Sequence, residues 1–478
     1  MKKVKLVAVL MVTILVIVSC RDNNNPVDTE KTYTSVGFSD ERVGKILETN
    51  CTTSGCHAGS NPANGLSLES HGNLMLGSSS RAYKETTNGG GAVVIPFRPE
   101  ESLLYRMISG QTTPSMPMGR GILASGDIEI IKTWIENGAR DENDVVPLPG
   151  EGYTVYACSQ NADRINVVDG DLNNVIRIIN TDFISENDAP HMVKYSDGYI
   201  YATTIKSGKL LKIRSDDFTI VTATEGLEYP GMIQINTSGT KAYVSRSSTA
   251  PGSYSSIYEI NLADMKLIRE IVLPVEGIPH GIALSHDDKT LYVANLTKNR
   301  ISIVDAETGD LKNDISLSGS VDHQPMQTAI SPDDKYLYIS ARGTGKLLVM
   351  DTGSLEIISE VAVGPGPMHL AIKSDGSKIY VPTMMNGKVN VVTFDGSEWT
   401  KTGEISHPAF MMPHGCDITP DDKFLYVSFR NTEGMYQPHY PNPLNPAPGL
   451  LAVIDLRNET VLKYTEIGAY GSGLTVKK

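Results

Sequence analysis

Two patterns of apolar and polar positions divide this chain. Over 36–145, apolar residues recur at the spacing of α-helices, between long polar and Gly-rich stretches. The clearest run is 125–137, where Ile131, Trp134 and Ile135 share one face, with Ser125 as a cap and Gly138 as a stop. The pattern predicts a small helical domain over 36–145 that has few apolar residues for its length.

Short runs of alternating apolar and polar residues follow a linker at 145–150 and continue to the end of the chain. Seven tyrosines mark a repeat with gaps of 42 to 49 residues: Tyr156, Tyr201, Tyr243, Tyr292, Tyr338, Tyr380 and Tyr426. That period is the length of one four-stranded propeller blade. The last apolar run, 473–476, supplies an innermost strand that the first unit lacks. We therefore predict a seven-bladed β-propeller over 150–478 that the C-terminal strand closes.

Turns of one type precede most of these strands, for example Ser331-Pro332-Asp333-Asp334. With these turns, the repeats resemble the YVTN-type propeller family over 151–478. The resemblance implies the fold and says little about function. The predicted fold class is multidomain, with a small all-α domain followed by an all-β seven-bladed propeller.

The first residues are typical of an export signal. A basic start and an apolar run over 6–18 end at Ser19-Cys20. The run is shorter than the about 20 residues of a transmembrane helix. Its end resembles the bacterial lipobox, which implies a signal peptide over 1–19, lipidation of Cys20 and a tether over 20–35. The alternative is an ordinary signal peptide with a chance cysteine. We expect an exported protein that contacts the membrane through its lipid only, on the periplasmic or outer-membrane face of the envelope.

Composition narrows the function classes. The net charge of −13 argues against nucleic acid as a partner. Four cysteines remain besides Cys20, which is too few for a disulfide scaffold in a chain of 478 residues. The sequence contains no Ser/His/Asp nucleophile motif, phosphate-binding Gly loop or dinucleotide fingerprint.

The segment 51–57, Cys-Thr-Thr-Ser-Gly-Cys-His, carries the most specific chemistry of the sequence. In a haem c site Cys51 and Cys56 would form thioethers to the haem, and His57 would be the proximal axial ligand of the iron. The usual motif has two residues between the cysteines, whereas four stand here. The alternative is a Cys51–Cys56 disulfide, although a disulfide has no need of the following histidine.

The rest of this domain resembles small cytochrome c modules that are fused to larger secreted enzymes. The resemblance lies in 95–104, 115–118 and 131–139. In such modules a Met-Pro pair supplies the second axial ligand, which implies Met116 here, with Met118 as a backup. With both axial positions filled, the haem would transfer electrons to or from a redox partner protein and would not bind substrate.

A second candidate site comes from aligning the blades. The residue that follows a recurring proline is expected to face the central channel in each blade: His191, Gly231, His280, Met326, Met368 and His414. His323 and His369 lie close by in sequence. Imidazole and thioether groups suit copper, and histidine also suits zinc or iron. A second haem, a substrate or acid–base chemistry is an alternative, and so is a repeat that only links neighbouring blades.

Two hypotheses for function follow. The first is an exported haem c protein for electron transfer whose propeller holds a substrate, second cofactor or metal at its channel; as an enzyme it would be a periplasmic oxidoreductase. Its layout resembles periplasmic enzymes that join a c-type cytochrome to a propeller. The second is a non-enzymatic platform for a protein or glycan ligand with a tethered cytochrome. An insertion at 431–448 is expected to be a surface loop near a channel mouth, and Cys158 and Cys416 are expected to be buried free thiols.

Overall fold

The computed structural model describes residues 37–38, 42–79, 88–184, 187–248, 254–317 and 321–477. The predicted signal peptide, lipidated Cys20 and tether lie outside these residues. Among the described residues, four helices and two short 3₁₀ turns precede the strands: α1 (Val43–Asn50), α2 (His71–Met75), α3 (Leu103–Ile108), α4 (Ser125–Glu136), and the turns Ala63–Gly65 and Pro99–Glu101. Within the described part of the chain, the helices are all too short or too polar to cross a membrane.

The helices share one apolar core. Ile131, Trp134 and Ile135 of α4 are buried as their spacing predicts, and they pack with Val43 and Leu47 of α1. Ser125 differs from its predicted role, because it is the first residue of α4 and Ala124 is the N-cap.

The strands form seven four-stranded antiparallel sheets, as the all-β part of the predicted fold class requires. From the innermost to the outermost strand, the sheets are β28 (Gly471–Lys477), β1 (Thr154–Ser159), β2 (Arg164–Asp169), β3 (Asn174–Asn180); β4 (Pro190–Ser196), β5 (Tyr199–Thr204), β6 (Lys209–Arg214), β7 (Ile220–Thr224); β8 (Pro230–Ile235), β9 (Lys241–Arg246), β10 (Ser256–Asn261), β11 (Lys266–Val272); β12 (Pro279–Leu284), β13 (Thr290–Asn295), β14 (Arg300–Asp305), β15 (Leu311–Ser316); β16 (Pro325–Ile330), β17 (Tyr336–Ala341), β18 (Lys346–Asp351), β19 (Ile357–Ala362); β20 (Ala371–Ile372), β21 (Lys378–Thr383), β22 (Lys388–Phe394), β23 (Trp399–Ser406); and β24 (Pro413–Ile418), β25 (Phe424–Phe429), β26 (Gly449–Asp455), β27 (Thr460–Ile467).

The C-terminal strand joins the two ends of the propeller. β28 pairs antiparallel with β1, with Val476 opposite Val155 and Leu474 opposite Ala157. The same strand contacts the inner strands β24 and β4 of the sheets on either side. The first sheet therefore combines the start and the end of the strand-forming chain, and neither is left as an open edge.

The repeating tyrosines hold one structural position. Each is the third residue of the second strand of its blade and is buried, as in Tyr156 of β1 and Tyr426 of β25. The second strand of each blade therefore begins two residues before its tyrosine.

The recurring Asp-Asp turns link adjacent blades. The second aspartate accepts a hydrogen bond from a backbone N–H in the equivalent turn of the preceding blade. Asp288 binds the N–H of Thr237 at 2.9 Å, and Asp422 binds that of Ser374 at 3.0 Å. Asp334 binds the N–H of His286 at 3.1 Å. The turn motif thus fixes the spacing between sheets as well as the turn itself.

The helical unit packs on the outer edge of the first and last blades. Asn174 of β3 donates to the carbonyl oxygens of Met75 and Leu76 at 3.1 and 2.9 Å. Tyr464 of β27 donates its backbone N–H to the Asn88 carbonyl at 2.9 Å. As a result β3 is largely buried, whereas the outer strands β11 and β15 are largely exposed.

The insertion at 431–448 contacts the helices, and residues such as Leu444 lie at the surface, as expected. Tyr440 is buried within the helical core. Next to it, Arg106 of α3 donates to the Pro441 carbonyl oxygen at 2.7 Å. The insertion therefore serves as a clamp between the propeller and the helical unit.

Replacing Tyr440 by alanine should loosen this clamp. Truncating a buried aromatic side chain costs about 3 kcal/mol, and here the lost packing joins the two units. We expect faster limited proteolysis within 142–150 and faster amide exchange in α3, with the propeller strands still protected. Leu444→Ala is the matched control, because Leu444 lies in the same insertion with 63% of its surface exposed. Equal protection of both variants and wild type would show that the clamp contributes nothing.

Candidate functional site

The inner strands begin together at one end of the propeller axis. Six blades have a proline at this point, and in five of them the strand begins with it, as Pro-His-Met, Pro-Gly-Met, Pro-Met-Gln or, twice, Pro-His-Gly. The register shifts directly after the proline, for example between Pro190 and Met192 of β4 and between Pro413 and Cys416 of β24. Such a bulge turns the intervening side chain away from the regular alternation of the strand.

Glycines let the inner strands approach closely at this level. A Cβ on Gly281 would lie 2.6 Å from the backbone of Gln327 in the next blade, and one on Gly415 would lie 2.2 Å from the Ser472 carbonyl oxygen. Glycine after the histidine in Pro279-His280-Gly281 is therefore required by packing at the axis.

Four histidines meet there. The ring centroids of His191 and His280 are 5.8 Å apart, and those of His191 and His414 are 6.3 Å apart. His369 lies 4.8 Å from His414. All four are buried. The structure thus brings together the three predicted ring histidines and adds His369.

The four imidazoles differ in their partners. His280 Nδ1 lies 2.7 Å from the Met326 carbonyl oxygen of the next blade, and His191 Nδ1 lies 3.3 Å from Gln160 Oε1. Four buried ring nitrogens have no hydrogen-bond partner among the described residues: Nε2 of His191, Nε2 of His369, and Nδ1 and Nε2 of His414. His280 therefore links blades, whereas His414 offers both nitrogens to a ligand.

These histidines are held neutral. Burial, aided by Arg430, lowers the pKa of His280 to about 4, although its bond to Met326 opposes the shift. Burial lowers the pKa of His369 to about 3. Burial also lowers the pKa of His191 and of His414 well below 6.5, with contributions from Arg430 and the neighbouring imidazoles. At neutral pH each ring is an uncharged donor and acceptor.

The two predicted methionines belong to an apolar cluster in which Met384 Sδ lies 4.0 Å from Arg430 Nη1. Met326 and Met368 are buried together with Met384, and Leu296 and Met412 pack against them. His323 is not in the histidine group, since its Nδ1 lies 2.9 Å from Thr344 Oγ1 and its neighbouring charges are Glu360 and Lys346.

Sequence reasoning missed Arg430, which follows the second strand of its blade. Its guanidinium stacks 4.0 Å from the Tyr470 ring centroid, and its Nε has no hydrogen-bond partner among the described residues. Burial lowers the pKa of Arg430 to about 10, and the charge of Arg342 acts in the same direction. The equivalent positions of the seven blades are Gln160, Ile205, Ser247, Leu296, Arg342, Met384 and Arg430. Aligning the residue after each second strand would have revealed this layer.

The axial group does not have the spacing of a closed three-imidazole metal site. Among the described residues, the single set of three His, Cys, Asp or Glu ligand atoms within 4.8 Å of one another belongs to Asp163, Asp182 and Asp188. The charge beside the imidazoles is that of Arg430, which disfavours a cation and favours an anion.

The predicted haem segment forms a compact loop after α1. Cys51 is buried and caps α1, and the His57 backbone N–H donates to its carbonyl oxygen at 3.0 Å. The two extra residues between the cysteines lie in an exposed turn, closed by the Cys56 N–H and the Thr53 carbonyl at 2.9 Å. The four residues between the cysteines are thus accommodated in a loop whose two ends are joined by the hydrogen bond from His57 to Cys51.

The side chains of this loop match the donor set of a c-type haem. His57 Nδ1 donates to the Leu66 carbonyl oxygen at 3.1 Å, so Nε2 carries the lone pair. Cys51 and Cys56 are both free thiols in the structure. Burial, with the nearby Cys56, raises the pKa of Cys51 to about 11. Cys158 and Cys416 are free and buried in the propeller, as expected.

The two candidate methionine ligands differ in exposure. Met116 is half-buried, and its backbone N–H donates to the Met107 carbonyl oxygen at 3.0 Å, which ties its loop to α3. Met118 has 69% of its surface exposed. Met116 is thus the better held of the two.

Seven four-stranded sheets around one axis define a seven-bladed β-propeller. Residues 201–440, half of the chain, match the family described as lactonase, seven-bladed β-propeller. The chain belongs to this lactonase family.

Individual relatives agree with the fold. The chain is 28% identical over 204 residues to antigen Lp49 of Leptospira interrogans, a match that covers 42% of this chain and 34% of Lp49. A functionally unknown protein from Desulfotomaculum acetoxidans is similar over 68% of this chain and 98% of its own, with 16% identity and a TM-score of 0.55. The periplasmic gluconolactonase of Pseudomonas aeruginosa is similar over 68% and 99%, with 14% identity and a TM-score of 0.54. At these identities, the solved structures support the fold alone.

The buried histidines should make the propeller sensitive to acid. Each pKa is near 6.5 in the unfolded chain and lower in the folded one, for example about 4 for His280. Between these two pKa values the unfolded state binds more protons than the folded state. The contribution of the histidines to the free energy of unfolding is therefore fully present above about pH 6.5 and is lost as the pH falls. At pH 5 each such histidine costs about 2 kcal/mol.

We expect melting temperatures measured between pH 7.5 and 5 to fall less for His414→Met than for wild type, because the variant has one titrating group fewer. Met326→Leu is the control, since Met326 is also buried but does not titrate, and it should keep the wild-type slope. A wild-type slope in His414→Met would contradict a neutral buried His414.

Proposed function

We propose that this chain is an exported haem c protein for electron transfer whose propeller binds a small anionic ligand on its axis. The observation that carries the haem assignment is the loop at 51–57. There, two free thiols precede a histidine whose Nδ1 is fixed to Leu66, which leaves Nε2 for a metal. Haem bound there would supply a one-electron couple.

Met116 is proposed as the second axial ligand because its loop is tied to α3 and its side chain is half-buried. Thioether and imidazole ligation together leave the iron without an open position, which favours electron transfer over substrate chemistry. Cys56 lies at the surface of the loop, a position that suits exchange with a redox partner protein. The lipid at Cys20 remains the proposed anchor to the envelope.

The haem and axial sites are proposed to act apart. The helical unit contacts the outer strands β3 and β27, and the histidines lie at the inner strands β4, β12 and β24. Three strand spacings of about 4.8 Å separate the two edges of a blade by about 14 Å. This separation supports an electron-transfer domain that is attached to a separate binding module. It does not favour one active site shared by both.

An anion is the proposed axial ligand because of charge and hydrogen bonding. Arg430 is half-buried, and no carboxylate is among the groups that shift its pKa. Beside it, His414 presents two unpaired nitrogens that can donate or accept. A carboxylate or another small oxyanion would compensate the guanidinium charge and bond to the imidazoles.

A second candidate function is hydrolysis of a lactone in the propeller. Membership of the lactonase family favours it. The product of such a reaction is a hydroxy acid, whose carboxylate suits Arg430, and neutral imidazoles can take up a proton from water. Hydrolysis of gluconolactone that exceeds the buffer rate and is lost in His414→Met would favour this candidate over a binding module.

Haem attachment is tested by expression in cells that mature c-type cytochromes. We expect one haem per chain that resists denaturation and acid–acetone extraction, detected by pyridine haemochrome spectra and mass spectrometry. Cys51→Ala with Cys56→Ala should abolish the covalent haem, and Cys158→Ala should not, because Cys158 is a buried thiol of the propeller. His57→Met should alter the spectrum. Haem-free wild-type protein beside a matured control cytochrome would refute the assignment.

Arg430→Met tests the axial anion site. The variant should bind gluconate at least about tenfold more weakly in calorimetry, since a hydrogen bond to a charged group contributes about 1.5–3 kcal/mol. Without ligand its melting temperature should stay equal or rise, because an uncompensated buried charge has been removed. Arg214→Met is the control, with a half-exposed guanidinium that pairs with Asp217. The anion site would be contradicted if wild type bound neither gluconate nor phosphate. It would also be contradicted if Arg430→Met bound these anions as tightly as wild type.

A further inference from the structure

A cluster of oxygen ligands lies at the joint between the first two blades. Asp163 precedes β2, and Asp182 and Asp188 lie in the connection from β3 to β4. One oxygen from each of the three carboxylates lies within 4.8 Å of the other two. The propeller therefore brings three negative charges together across two separate turns.

The groups in this cluster are held in place by the backbone. Asp188 is fully buried, and its Oδ2 accepts the N–H groups of Phe183 and Ile184 at 2.6 and 3.2 Å. Asp163 Oδ1 accepts the Ala189 N–H at 3.0 Å, and its carbonyl accepts the Thr181 N–H at 2.8 Å. The Asp163 and Asp188 carboxylates are thus positioned before any ligand binds.

Three further oxygens are buried without a hydrogen-bond partner among the described residues. They are Asp188 Oδ1, Asn187 Oδ1 and Thr181 Oγ1. Thr181 is fully buried and is not one of the acidic groups, so it is an independent sign of a missing partner. Unpaired buried oxygens are costly unless a donor or a cation satisfies them.

Two cations near the cluster are paired elsewhere, since Arg164 binds Glu101, and Lys209, whose ammonium lies over the Phe183 ring, binds Glu225. Burial, and to a smaller extent the Asp188 and Asp182 carboxylates, raises the pKa of Asp163, and no lysine or arginine is among the groups that shift it. Oxygen ligands alone, with several carboxylates, suit a hard cation. Calcium fits better than magnesium, because it accepts six to eight oxygens in irregular geometry, whereas magnesium requires a near-ideal octahedron.

We propose that Asp163, Asp182 and Asp188 bind a calcium ion, with Asn187 Oδ1 and Thr181 Oγ1 as further ligands. The ion would fasten the connection that leads directly into Pro190-His191 of the axial group. It would also fix the turn that carries Gln160, the partner of His191. An exported protein meets calcium at concentrations that suit a dissociation constant of about 0.1–1 mM.

The test uses the full chain, stripped of metal by a chelator and titrated with CaCl2 in a calorimeter and in thermal melts. We expect one calcium per chain and a melting temperature that rises by several degrees. Asp182→Asn should weaken binding about tenfold or more. Since Asp182 is exposed, the variant should fold normally, and without calcium it should melt no lower than wild type. Asp188→Asn should lose binding as well.

Asp216→Asn is the matched control, because it removes one carboxylate from an exposed turn of the neighbouring blade and should bind calcium like wild type. Absence of calcium heat and of a thermal shift in wild type would overturn the proposal. So would an equal loss in the Asp216→Asn control. An equal response to MgCl2 would overturn the assignment to calcium.

Discussion

The pairing of β28 with β1 fixes the geometry on which the axial site depends. Seven twisted sheets leave two open edges until the last strand of the chain enters the first sheet. Once there, β28 lies between the inner strands β24 and β4, and the Ser472 hydroxyl donates to the Pro190 carbonyl at 3.2 Å. His414 and His191 then meet across β28 with ring centroids 6.3 Å apart. Residues more than 220 positions apart in the chain come into contact because the ring is closed.

Charge is distributed unevenly once the ring has closed. The axis holds neutral imidazoles and the half-buried cation Arg430, and the joint between the first two blades holds the carboxylates around Asp188. Burial removes the water that would screen such groups, so each collection favours a ligand of opposite sign. The two are close in the fold, since Ala189 lies between Asp188 and the Pro190-His191 segment. Binding of a ligand at one of these two sites would therefore affect how well ordered the residues of the other site are.

The helical unit depends on the propeller for part of its packing. Tyr440 of the blade insertion fills its core, Arg106 reaches the Pro441 carbonyl, and Asn174 binds the end of α2. These contacts hold the Cys51–His57 loop in a fixed relation to the blades. A rigid mounting at the outer edge would suit the electron-transfer role proposed for this unit and would leave the mouth of the axis to a separate ligand.

Local patterns in the sequence were sufficient for the elements and the blade count. The tyrosine period gave seven sheets, and the apolar spacing in 125–137 gave α4, because both depend on residues near one another in the chain. The candidate haem ligands in the Cys-x4-Cys-His segment could likewise be identified from residues that are close together in the sequence. Tertiary structure decided which candidates meet: His369 joined the axial group, His323 did not, and Arg430 supplied its charge. It also brought Asp163 beside Asp188 and Tyr440 into the helical core. These contacts follow from bulges, ring closure and docking between distant strands, which local periodicity does not encode.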